Sequence, residues 1–526
     1  MITEERFQKL PVWIKKVVAF FTKLRMPAKL VYILVSAMAI LWFLIRVIPK
    51  PSRATYPCMQ VAAPVMSSFM IWIIAVSGAT FAFRKAKYKL FEAKYLAAGL
   101  FLVIGIGAIS IYSVQSPKEA RADNLEIWYK PNIPLGVAKG INPGRVAWGH
   151  NPKIATWDGK TGFWWEDRYN NQEETDKLFS QTLYSLTNIK SEKKSWDALF
   201  RYFNKTKRNA DNGYQTGQKI AIKVNLNNTY SQESNNEINA NPTLILSLLK
   251  SLVNEAGVHP ENITVTDPSR FITNNVFDKL HSAYPNVHYI DHNGGNGREK
   301  AAFVENGFQY SFDFEGQTRG LAKCMVEADY VIDMALLKGH VSQGVTLCAK
   351  NFFGCTSIED DWRKNAHCSG FSQDREGKRT YSVYPDFMGH KDLGGKTMLF
   401  LIDGIYSNKF VDKVPAFKWK LVPFNNNWPN SLFASQDGVA IDAVGLDFAI
   451  TEWPDAPDMK YSDFYLEEMA LANNPPSATV YDPERDGTKL TSLGVTEHWN
   501  NAIDKKYSRN LKTGDGIELV YSLVKN

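Results

Sequence analysis

The chain has 526 residues, 44% of them apolar and 13% aromatic, which is ample for a core and unlike a disordered or collagen-like composition. Its net charge of +7 is uneven: residues 1–94 hold fifteen Lys/Arg against three Glu, a surplus of twelve, so the remainder carries five net negative charges. A mildly acidic main body argues against nucleic acid as a partner.

Three apolar runs come first: Leu30–Ile48, Ala63–Phe83 and Tyr95–Val114. Each is about 20 residues, enough to cross roughly 30 Å of hydrocarbon, so the pattern predicts three transmembrane helices over residues 30–114 in a lipid bilayer. Seven Lys/Arg precede the first run and five lie between the second and third, against two in the first loop. The positive-inside rule then puts the N-terminus in the cytoplasm and residues 115–526 outside it, on a multi-pass protein of the cell (inner) membrane. Residues 1–29 read as a basic amphipathic segment on the inner leaflet; a cytoplasmic extension of the first helix fits the pattern equally. Cys58 sits near the second run, and Cys324, Cys348, Cys355 and Cys368 follow with no C-x-x-C. An oxidising compartment would allow them two disulfides in any of three connectivities, or they remain buried thiols.

Residues 115–215 are rich in Trp and Asn and read as an N-terminal elaboration of the soluble part. His150–Gly159 suggests a short strand and a turn, and helical patterns follow around 173–187 and 192–205. From 216 to 526 the pattern is that of an α/β domain. Lys219–Leu226 is a buried-strand run. Asn241 is a natural N-cap, Pro242 suits the first turn, and Gly257 suits the position just past a helix. Strands are predicted at Ile263–Asp267, Val287–Asp291, Tyr330–Leu337 and Thr397–Asp403, and a helix capped by Asp437 over 437–450. The βαβ order implies a mostly parallel sheet with helices on both faces.

Asn225, Asp267, the Lys338–His340 segment and Asp403 each fall at the C-terminal end of a predicted strand. In open α/β sheets the ligand crevice lies along that edge. Each such residue, taken alone, also suits a turn or a helix cap. Leu336–Gly354, LLKGHVSQGVTLCAKNFFG, places Lys338, His340 and Lys350 in an apolar run, where cations are costly unless paired or shifted in pKa. His340 is the candidate acid/base, and Lys350 a candidate base or nucleophile if desolvated. With Asp267 and Asp403 these make the candidate catalytic set. A helix beginning near Gly344 would turn Thr346 and backbone N–H groups toward an anion. Asn225, Lys338, Gly344, Thr346, Asn351 and Asp442 are the candidate substrate-binding residues. The loops 358–370 and 388–395 mix carboxylates with imidazoles, and His367 and His390 are the candidate ligands for a divalent metal, at spacings that match no standard motif.

The succession KVNLN, NPTLILSLLKSLVNEAG, VTD, ADYVIDMALLKGHVSQGVTLCAKNFFG, LIDGI and ASQDGVAIDAVG resembles the family called domain of unknown function 362 over about residues 217–450. That resemblance implies the fold and carries no settled reaction. The block from His340 to Gly354 is also similar to one in the nickel-pincer lactate racemase family. The similarity implies His340 as acid/base, Lys350 as anchor of a nickel-pincer nucleotide and His367 as metal ligand. The Gly-Gly pair that precedes the lysine there is replaced here by Leu347-Cys348-Ala349. These readings imply an extracytoplasmic enzyme acting by acid/base chemistry on a small anionic substrate. A ligand-binding or scaffolding subunit with a membrane-protein partner is the alternative, and a redox-linked protein using its cysteines a third reading.

Overall fold

The computed structural model describes residues 129–312, 318–340, 344–358, 381–456 and 459–524. The chain divides into two compact units, Met1–Asp123 and Asn124–Asn526, and every described residue belongs to the second. The expectation of three transmembrane helices is not supported: among the described residues no helix is long and apolar enough to cross a membrane. The three apolar runs themselves lie outside the described residues.

One sheet of ten strands organises the second unit. In chain order its strands are β1 (Arg145–His150), β2 (Ile220–Val224), β3 (Ile263–Asp267), β4 (His288–Asp291), β5 (Glu299–Lys300), β6 (Tyr330–His340), β7 (Gly344–Thr346), β8 (Thr397–Asn408), β9 (Ser431–Ser435) and β10 (Glu518–Leu523). Their spatial order is β10-β1-β9-β8-β6-β2-β3-β4-β5, with β7 paired to β6. All neighbours run parallel except β9, antiparallel to β1 and β8, and β7, antiparallel to β6. The sheet is therefore mostly parallel, as the βαβ pattern implied.

Alternation along β6 explains the layers. Ile332, Met334 and Leu336 enter one core with helices α1 (Gln172–Thr187), α2 (Glu192–Arg208), α3 (Pro242–Lys250) and α4 (Asn274–Ala283). Val331, Ala335 and Leu337 enter a second core with α5 (Cys348–Asn351), α6 (Val383–Gly389), α7 (Gly438–Glu452) and α8 (Ser462–Ala470). Local signals set several ends. Asn241 caps α3 through Thr243 N with Pro242 in its first turn, and Asp437 caps α7 by accepting from Val439 N and Ala440 N. A π-helical turn, Ser251–Glu255, continues α3 to the positive-φ Gly257.

Two local expectations are corrected. The strand expected in His150–Gly159 lies upstream, as β1, where Trp148 packs on Phe433 and Phe448. The helix expected near Gly344 begins instead at Cys348. Gly344, at φ +76°, starts a short strand that folds back on β6, pairing Thr346 with Lys338. This return is open to the chain because β6 outruns β2, whose register partners end at Met334.

Candidate functional site

The C-terminal ends of β2, β3 and β6, with β7 and α5, surround a small pocket that opens to solvent. Its walls include Lys223, Asn225, Asp267, Arg270, His340, Thr346, Lys350 and Asn351. The strand ends thus bring together six of the residues picked from sequence: Asn225, Asp267, His340, Thr346, Lys350 and Asn351.

The floor is a buried pair. Lys223 Nζ lies 3.2 Å from Asp267 Oδ1 and donates to Val224 O at 2.6 Å and Asn351 Oδ1 at 3.0 Å. The second Asp267 oxygen accepts from Leu226 N at 2.8 Å. The Asn351 carboxamide cannot be turned over, because its oxygen also accepts from Asn225 Nδ2 at 3.1 Å and its nitrogen donates to Asp333 Oδ1 at 2.6 Å. Gly354 lets the chain close over this pair: a Cβ there would stand 2.8 Å from Lys223 Cε, 2.9 Å from Nζ, and closer still to Asp267 Oδ1. On the rim, Arg270 is held by its own turn, donating to Asn227 O at 2.9 Å, Asn227 Oδ1 at 3.2 Å and Ser269 O at 3.2 Å. The Lys350 ammonium stands 5.0 Å from the centre of the Phe353 ring. Among the described residues of the wall, Lys223, Arg270 and Lys350 face one carboxylate, Asp267, so this described lining is electropositive against the acidic balance of the chain beyond residue 94.

Three polar atoms of the described pocket residues are buried without a hydrogen-bond partner: Asn225 Oδ1, Ser269 Oγ and Thr346 Oγ1. Lys338 Nζ, one step back from His340 on the same face of β6, is another. Its cross-strand neighbours are Thr346 and Asn408, and Asn408 Oδ1 also lacks a partner. Burial pushes the Lys338 ammonium down to about 7; Asp267 opposes this and Arg270 adds to it.

The other expected residues are placed elsewhere. Asp403 lies outside the pocket walls, spent on Asn241 N at 2.7 Å and Ile405 N at 3.0 Å. Burial pushes its carboxyl up to about 7. Asp442, also raised to about 7 by burial, caps α5 by accepting from Cys348 N at 2.8 Å and Ala349 N at 3.0 Å. These first N–H groups of the helix that was expected to begin near Gly344 and face an anion are thereby spent within the fold. Gly344 serves as the turn into β7. His390 has both ring nitrogens at backbone partners, Gly307 O at 3.2 Å and Asp392 N at 3.1 Å. Among the described residues no group of three or more His, Cys, Asp or Glu could hold a metal. His367 and Cys368 lie outside the described residues, as does Cys58, and Cys324, Cys348 and Cys355 are free thiols. His340 and Lys350 do share the pocket, the arrangement a lysine-anchored cofactor beside an acid/base histidine requires; the described residues supply no metal-ligand cluster to complete it.

Lys223, Asn227, Ser269, Arg270, Phe353 and Gly354 were not anticipated. A lysine inside the apolar strand KIAIKV and the DPSR turn after β3 were the available signals.

Fold and pocket together define an α/β protein with an open, mostly parallel sheet and an electropositive cleft at its C-terminal strand edge. Residues 220–447 match the family described as Domain of unknown function (DUF362), which bears out the resemblance read from the sequence. No curated protein matches the chain.

Proposed function

We propose that the protein binds a small anionic substrate in the strand-edge pocket and acts on it by acid/base chemistry. The observation that carries this reading is the coincidence, in one cleft, of a cationic surplus with buried polar atoms that lack partners. Such atoms are costly in a purely structural site, and a ligand satisfies them. Arg270 and Lys350 supply charge to an oxyanion, and the Lys223–Asp267 pair fixes the floor against which it rests. Asn225 Oδ1 accepts from a donor on the substrate. His340, on the pocket wall, is the group that moves a proton.

The test is solvent exchange. A panel of small carboxylates and phosphate esters is incubated with the full-length protein in deuterated water and followed by proton NMR. Loss of a C–H signal with wild type, and its retention with His340→Gln, supports the reading. Anion binding with no exchange in any compound reduces the protein to a ligand-binding module, and absence of anion binding removes the site.

A further inference from the structure

Beneath the pocket floor lies a carboxyl group that the chemistry above does not use. Asp333 is fully buried in β6, directly across the sheet from Lys223 in β2. We propose that Asp333 is a positioning residue of the pocket: through the Asn351 carboxamide it holds the Lys223 ammonium in place at the floor. This rests on the anion-site reading and deepens it.

The argument starts from Asn351, whose hydrogen-bonding groups are all engaged. Its nitrogen donates to Asp333 Oδ1 at 2.6 Å and to Lys223 O at 3.3 Å, and its oxygen accepts from Lys223 Nζ and Asn225 Nδ2. Turned over, it would set its NH2 group against two donors, one of them the ammonium, and its oxygen against the Asp333 oxygen. Asp333 therefore selects the orientation in which Asn351 accepts from Lys223. With Val224 O and Asp267 as its other partners, Lys223 has three acceptors for three N–H groups and a fixed position.

The same setting favours a neutral Asp333: it is fully buried, its second oxygen, Oδ2, is buried without a hydrogen-bond partner, and the ammonium across the sheet is already ion-paired with Asp267. Burial pushes its carboxyl well above the ordinary carboxylate value, opposed by the Asn351 N–H and the Lys223 charge and reinforced by Asp442. The other titratable neighbours among the described residues are Cys348 and Cys355, whose thiols are themselves held up by burial. A neutral carboxyl is mimicked by a carboxamide and not by an apolar side chain, which makes the role separable from mere packing.

The experiment is calorimetric titration of the full-length protein with inorganic phosphate, in wild type, Asp333→Asn and Asp333→Leu. Asp333→Leu should weaken binding by about tenfold or more, the scale of a lost hydrogen bond in a charged network, while Asp333→Asn stays within about threefold of wild type. Should Asp333→Leu fail to fold, Asn351→Ala breaks the same link and carries the same expected loss. Infrared spectroscopy adds a readout that packing does not move. A protonated carboxyl band present in wild type and missing from Asp333→Asn, in difference spectra recorded at neutral pH, reports the neutral Asp333 carboxyl directly. Phosphate binding unchanged in Asp333→Leu and Asn351→Ala, or Asp333→Asn as damaging as Asp333→Leu, overturns the proposal while leaving the anion site standing. A wild type that does not bind phosphate removes the anion site and the proposal with it.

Discussion

Two regions of the molecule bury ionisable groups densely, and they differ in how completely those groups are satisfied. Around His498, Nδ1 lies 2.6 Å from Asp447 Oδ1 and Nε2 3.1 Å from Asp463 Oδ1, while the ring stacks on Tyr129. The second Asp447 oxygen accepts from Trp499 N at 3.0 Å and Tyr507 Oη at 2.8 Å. Burial pulls the His498 imidazole down, but the two carboxylates outweigh it and raise it to about 11. At the strand edge the balance is reversed: Lys338 has no hydrogen-bond partner, is pushed down to about 7, and sits behind pocket residues with partnerless polar atoms of their own. A saturated network is a brace, and an unsaturated one held together by the fold marks a site.

The contrast is broken most severely at the brace. His498→Leu leaves Asp447 and Asp463 without their cation and should cost about 4 kcal/mol in chemical denaturation. A raised imidazole stabilises fully below its ordinary value of 6.5 and loses that contribution as pH climbs through about 11, so the gap to wild type should close over that interval. A denaturation midpoint unchanged by the substitution would mean that the cluster braces nothing.

The next largest effect has the opposite sign. Lys338→Met should stabilise the protein by about 3 kcal/mol at neutral pH, because an unpartnered buried ammonium is removed. The folded value, about 7, lies below the ordinary 10.5, so wild type carries the full penalty below pH 7 and sheds it toward 10.5. The gain should shrink across that window; a loss of stability would show that Lys338 is bonded rather than strained. Gly354→Ala is the third test. Its Cβ would intrude on Lys223 and Asp267, at an expected cost of about 2 kcal/mol, with phosphate affinity falling in parallel by calorimetry. The smallest effect is at the rim, where Arg270→Ala should weaken phosphate about tenfold, or about 1.4 kcal/mol, with an unchanged melting curve in its absence.

Sequence reveals these regions unequally, for physical reasons. The βαβ core was readable because β2, β3 and α3 carry their apolar periodicity and caps within a few residues. Strand-end polar residues such as Asn225 and Asp267 were readable because that edge is where parallel sheets place ligands. Lys223 was not, since its meaning depends on Asp333 and Asn351, more than a hundred positions later. Nor was the return of β7, because Lys338–His340 continue β6 past the point where apolar character ends, and only the open side of that overhang makes a second pairing available. The His498 cluster escaped notice for the same reason: Asp447, Asp463 and His498 belong to three separate segments.

The most direct measurement is the melting temperature of full-length protein as inorganic phosphate replaces chloride at constant ionic strength. A ligand that binds only the folded state raises the midpoint with the logarithm of its concentration. Wild type should show that rise and the Arg270→Ala/Lys350→Met double variant should not. An equal rise in both, or none in wild type, would contradict an anion site at the strand edge.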